Sequence, residues 1–141
     1  MAKLHEIHID ETIDAPIERV FEHLADHHNF TALFGASCER VAEGEDEPNG
    51  LGSVRRIGPG PLSFDETIVV FERPTRIHYR ITRGSPLRNH RGEIELSARG
   101  DQTLLDYRIR FEGKLPLVGG LVKRALERGW SRNGPAALAR L

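Results

Sequence analysis

The chain predicts an α+β fold: one antiparallel sheet covered by a long C-terminal helix. Three observations carry it. From Ser37 to Gly113 the apolar residues recur at every second position, in short runs separated by turns. After Pro116 the period changes to that of a helix and stays there for four turns or more. Near the start, a strand-like run is followed by a short amphipathic helix pattern. A sheet with one apolar face needs a cover, and the last helix is the element long enough to supply it. The 141 residues suit a single domain spanning 1–141.

Each element has its own signal. HEIHIDETI, residues 5–13, places Ile7, Ile9 and Ile13 on one parity of a strand. In DAPIERVFEHLAD, Pro16 suits a first helical turn and Asp14 favours the positive end of the helix dipole. Ile17, Val20, Phe21 and Leu24 then follow helical spacing as far as Asp26, and HNFTALFG adds a shorter helix that stops at Gly35. ASCERVAEGE is a weak strand, DEPNGLG a turn, GSVRRIG a strand and GPGP a turn that no strand passes through. LSFDETIVVFE, RIHYRIT, HRGEIELSA and TLLDYRIRFEG complete the strands, the last with Leu105, Tyr107, Ile109 and Phe111 on one side. In the final helix Val118, Val122, Ala125 and Gly129 form a stripe with Leu121 and Leu126 beside it. Gly134-Pro135 is expected to break or kink that helix near its end.

Composition narrows the function. Twenty basic and 21 acidic side chains give a formal charge of −1, against a dedicated nucleic-acid binder. No apolar run approaches the ~18 residues of a membrane span, so stable membrane insertion is not expected. The polar start MAKLHEIHIDE does not resemble a signal peptide, and the single cysteine, Cys38, excludes an intrachain disulfide. A cytoplasmic protein is expected, as a monomer or weak homodimer. The basic series Lys123, Arg124, Arg128 and Arg132 reads as a solvated helix face, not as an anionic-lipid patch.

The run EHLADHHNF sets His23 and His27 four apart, the spacing of two metal ligands on one helix face. No third ligand is marked, and the DHHN run argues against one continuous helix. We therefore expect no metal: His23 is solvated, and His27 and His28 cap a helix end.

Taken together, APIERVFEHLAD, GSVRRI, FERPTRIHYRI and DQTLLDYRIRFEGKLP leading into a terminal helix resemble the START-like proteins of the SRPBCC superfamily. The resembling branch is that of polyketide cyclases, dehydrases and lipid-transport proteins, and it covers residues 5–133. It implies the helix-grip fold: a curved seven-stranded antiparallel sheet wrapped around the C-terminal helix, with two short helices after strand 1. It also implies an apolar or amphipathic small-molecule ligand held between sheet and helix, with no cofactor. Fold by itself does not choose between carriage and catalysis.

Strand parity proposes the residues facing that space. Tyr79, Tyr107 and Ile94 share the inward face, and His90, four residues before Ile94, shares it too. Glu66 has the parity of Phe64, Ile68 and Val70, although the opposite parity of that strand is also apolar. Arg55 and Arg56 are neighbours, so one faces inward and would relieve the cost of burying Glu66; Arg56 enters the ligand set. Phe30 and Phe34 are placed as a gate, and Val122, Ala125, Gly129 and Asn133 as the helix side. The main expectation is a carrier or sensor of a lipid-, polyketide- or isoprenoid-like molecule. The alternative is a cyclase, aromatase or dehydratase drawing its acid and base from His90, Tyr79, Glu66 and Tyr107. A protein-interaction role has no surface in the sequence to single it out.

Overall fold

In the computed structural model, which describes residues 3–141, the expected elements follow one another in the expected order. β1 (Leu4–Ile13) leads into α1 (Ile17–Ala25) and α2 (His27–Ala32). Six strands follow: β2 (Cys38–Ala42), β3 (Val54–Ile57), β4 (Phe64–Glu72), β5 (Arg76–Arg83), β6 (Leu87–Arg99) and β7 (Gln102–Gly113). α3 (Val118–Leu138) closes the chain. The seven strands form one antiparallel sheet in the order β1-β7-β6-β5-β4-β3-β2. Successive hairpins carry the chain from β2 to β7, and the first strand is added beside the last.

Alternation decides which face is dry. Thr103, Leu105, Tyr107, Ile109 and Phe111 of β7 are buried, as are Ile7, Ile9 and Ile13 of β1. The outer face instead carries ion pairs across strands, such as Glu6 with Arg110 and Arg110 with Glu93. Exposed pairs of this kind contribute about 1 kcal/mol or less each, so they set register and solubility more than stability. α1 buries Val20, Phe21, Leu24 and Ala25 against the sheet.

Asp26 separates the two short helices. Its backbone is extended, and its Oδ1 accepts the Asn29 amide at 2.9 Å, capping α2. His23 and His27 thus lie on different helices. His27 is 2% exposed, in the core rather than at a helix end, and His23 is half-buried rather than solvated. Among the described residues no group of three or more His, Cys, Asp or Glu is gathered for a metal ion.

α3 differs from its expected form in two ways. It runs through Pro135 to Leu138 without ending at Gly134-Pro135. The missing Pro135 amide would have bonded the carbonyl of Ser131, an exposed residue that water can serve. The buried face is also rotated from the expected stripe. It is made of Gly119, Trp130, Gly134 and Leu138, with Val122 and Leu126 half-buried, and Ala125 faces solvent. α3 lies against β1 and β7.

Candidate active site and ligand cavity

Between the concave sheet, α2 and α3 is an apolar cavity of ≈ 90 Å³. α2 and the segment after it supply Phe30, Thr31, Phe34 and Ala36; α3 supplies Leu126. The strands supply Ile57, Phe64, Tyr79 and Ile109, together with two titratable groups, Glu66 and His90. A larger groove of ≈ 560 Å³ lies beside α1, but it is open and walled by charged side chains already engaged with one another, as Arg73 is with Glu22 and Glu47. The smaller hollow, apolar with a few convergent polar groups, has the character of a ligand site.

A buried polar chain stands behind Glu66. Arg55 Nε donates to Glu66 Oε1 at 2.8 Å. Arg55 Nη1 donates to His27 Nδ1 at 3.2 Å, which leaves the His27 proton on Nε2, donated to Ser53 Oγ at 3.1 Å. Burial, reinforced by the Arg55 charge, pushes His27 down to about 3, so the ring is neutral at ordinary pH. The guanidinium carbon of Arg55 lies 4.1 Å from the centre of the Phe30 ring and 4.8 Å from that of Tyr79, two cation–π contacts in a dry place. Among the described residues, Arg55 Nη2 is buried without a hydrogen-bond partner.

His90 reaches the cavity through an irregularity. The β5–β6 ladder ends at Tyr79–Gly92, and β6 bulges against β7 between Arg88 and Arg91, with Asn89 at φ +52°. Beyond the ladder's end, the Ile81 amide donates to His90 Nδ1 at 3.2 Å. Burial lowers the His90 pKa. The neutral ring then carries its proton on Nε2 and offers a donor, not a base. Tyr79 and Tyr107 join hydroxyl to hydroxyl. Burial, before any charge, raises the pKa of both, so they stay neutral. The Tyr79 ring lies across Gly92, where a Cβ would fall 2.0 Å from the Tyr79 Cζ. On the helix side, a Cβ at Gly129 would fall 2.5 Å from the Phe34 carbonyl oxygen, so this glycine lets α3 approach the segment after α2.

Residues 5–141 match the family described as polyketide cyclase / dehydrase and lipid transport. The chain belongs to this family. No curated protein matches it by sequence. Among solved structures, the Zhui aromatase/cyclase from a Streptomyces species superposes with a TM-score of 0.75 at 18% identity, over 98% of this chain and 93% of that one. A protein from Nitrosospira multiformis gives 0.67 at 22% identity, over 96% of this chain and 94% of that one. Norcoclaurine synthase from Thalictrum flavum, solved with dopamine and hydroxybenzaldehyde, gives 0.64 at 12% identity, over 93% and 86%. At these identities the likeness is one of fold, and it confirms the helix-grip architecture of START-like proteins.

Within this family member, the expected site residues divide into three groups. Phe30, Phe34, Glu66, Tyr79 and His90 line the cavity. Tyr107, Ile94, Val122, Gly129 and Asn133 do not line it: Tyr107 packs on Phe30 and Phe34, Ile94 is 1% exposed in the core, and Asn133 Nδ2 donates to the Gly129 carbonyl at 2.8 Å. Two point elsewhere. Arg56 is on the outer face, where its Nε donates to Asp65 Oδ1 at 2.8 Å, and the inward arginine is Arg55. Ala125 is exposed, and Leu126 takes its place. Sequence reasoning missed the roles of His27, Ser53, Gly92 and Leu126. The parity rule could have found Arg55, since Ile57 two residues on is the apolar member of the same face.

Proposed function

We propose that this protein binds a compact amphipathic small molecule in the cavity beneath α3, as a cytoplasmic carrier or sensor. One observation carries the reading. An apolar hollow holds one hydrogen-bond acceptor, Glu66, and one donor, the Nε2–H of His90, in its wall. A ligand with an aromatic or isoprenoid body and a hydroxyl or carbonyl matches this pairing. Its apolar burial supplies ~25 cal/mol per Å² before entropy is lost. The hollow of ≈ 90 Å³ is smaller than the roughly 300–1,000 Å³ of a drug-sized site, so Phe34 and Leu126 must yield as the ligand enters. Membership of a family named for polyketide cyclisation and lipid transport supports the ligand class. So do neighbours named for an aromatase/cyclase and for a complex with dopamine and hydroxybenzaldehyde.

A second reading, cyclase or dehydratase chemistry, is favoured by Glu66 and His90 facing the same space. In it the Glu66 carboxylate is the proton acceptor, and His90 donates a hydrogen bond to the substrate oxygen, because its other nitrogen is held by the Ile81 amide.

The one tryptophan, Trp130, has its ring centre 5.8 Å from that of Phe34, which makes it a reporter of the cavity. Titration with hydroxylated aromatic and isoprenoid compounds should change Trp130 emission saturably. Leu126→Phe, which fills the hollow, should abolish the change, and Glu66→Gln should weaken binding of the hydroxylated compounds. A compound that is turned over, with turnover lost in Glu66→Gln, selects the enzyme reading. Absence of any saturable response, with native mass spectrometry showing no co-purifying molecule, overturns both.

A further inference from the structure

The turn between β7 and α3 presents leucines to solvent with no protein to cover them. Leu115 is 66% exposed, Leu117 84% and Leu121 63%. The Leu121 amide donates to the Leu117 carbonyl at 3.2 Å and so sits one turn above it, and Leu115 borders the same groove as Leu117. Leu117 stands at φ +71°, a left-handed conformation that bulky L-residues avoid. The isolated protein gains no burial from this arrangement. It holds a leucine outward from a strained corner.

Basic side chains lie beside the patch, between Glu112 and Glu127. From Gly113 to Leu126 the chain carries Lys114, Lys123 and Arg124 and no acidic residue, within a protein of net charge −1. The first turn of α3 holds no acidic side chain. Lys3 and Lys114 flank a shallow groove of ≈ 400 Å³ beside Leu115 and Leu117. Protruding leucines with Lys3, Lys114 and Arg124 beside them complement an anionic bilayer, where the apolar groups enter the interface and the cations stay among the headgroups. A protein partner would be better met by aromatic anchors and a deep pocket, and the patch has neither.

We propose that the β7–α3 turn docks on the surface of an anionic lipid membrane. The contact is peripheral, since no helix among the described residues is long and apolar enough to cross a bilayer. It involves the N-terminal part of the helix whose Leu126 walls the cavity. The proposal does not require the ligand reading, and it is tested separately.

The test is co-sedimentation of the protein with phosphatidylcholine vesicles, with and without phosphatidylserine. Wild type should sediment with the phosphatidylserine vesicles, ~tenfold or more better than with phosphatidylcholine, and added salt should weaken the binding. L117S/L121S, at two exposed positions, should lose ~tenfold or more of that binding while its melting temperature and Trp130 titrations stay unchanged. Lys114→Glu with Arg124→Glu should do the same. Wild type that sediments with neither vesicle overturns the proposal, as does L117S/L121S that binds as well as wild type. Self-association of wild type that L117S/L121S abolishes, without vesicle binding, also overturns it and gives the patch to a second copy of the chain.

Discussion

Arg55 Nε and Glu66 Oε1 meet at 2.8 Å with the arginine side chain 2% exposed and the glutamate 8%. The two are direct partners across the β3–β4 ladder. Removing one partner of such a buried pair costs more than removing both, because the survivor is left charged in a dry site. Glu66→Leu is expected to lower stability by about 3–5 kcal/mol. Adding Arg55→Met should recover part of that loss. Urea unfolding of the two single variants and the double variant measures the coupling; additive losses would show that the pair acts as two independent groups.

Acid should weaken the fold through His27. Its folded pKa, about 3, is below the 6.5 of an unperturbed ring. Between those values the unfolded chain binds the proton and the folded chain does not, so stability falls as pH drops through the window. Above pH 6.5 the contribution is fully present. Between pH 7 and 5 the His27 share of the loss should be about 1–2 kcal/mol. His27→Gln is expected to flatten the profile by that amount, read from chemical denaturation at each pH. A profile unchanged by the substitution would mean that the ring takes up a proton in the folded state as readily as in water.

The hydroxyls of Tyr79 and Tyr107 satisfy each other. Tyr79→Phe leaves the Tyr107 hydroxyl buried with its partner gone, at a cost of about 1–3 kcal/mol. Replacing both removes the need along with the bond, so Tyr79→Phe/Tyr107→Phe should be nearer wild type than either single change. A double-mutant cycle by thermal melting tests this. Neither hydroxyl should ionise in the folded protein, so the phenolate absorbance should appear on raising pH only as the chain unfolds.

Gly92 is the seat of the Tyr79 ring. Gly92→Ala should displace that ring into the cavity, with an overpacking cost of about 1–3 kcal/mol. Ligand response at Trp130 should fall along with stability. An alanine variant that keeps both would show that the ring moves outward instead.

How far the sequence spoke depended on what each residue buries. β7 was legible because its alternation is unbroken from Thr103 to Phe111. The direction of the GSVRRI strand was harder: β3 has four residues, and two of them are adjacent arginines, so charge gave no parity. Counting back from Ile94 reaches His90, but the bulge that holds it has no mark in composition. The buried face of α3 misled the periodicity argument for a related reason. That face includes Gly119 and Gly134, which carry no hydrophobic signal, so the apolar periodicity runs through Ala125 instead. His27 was hidden by its neighbours, since nothing in DHHN tells a core imidazole from a solvated one. Its environment comes from Arg55 and Ser53, far along the chain.

The missing side chain at position 129 ties two parts of the molecule mechanically. With the Phe34 backbone seated directly on that helical turn, no slack exists between them for one to shift by itself. A guest that shifts the Phe34 backbone therefore presses on the rod to which Leu126 and Leu121 belong. Occupancy inside would be felt some distance away, at the rod's far tip.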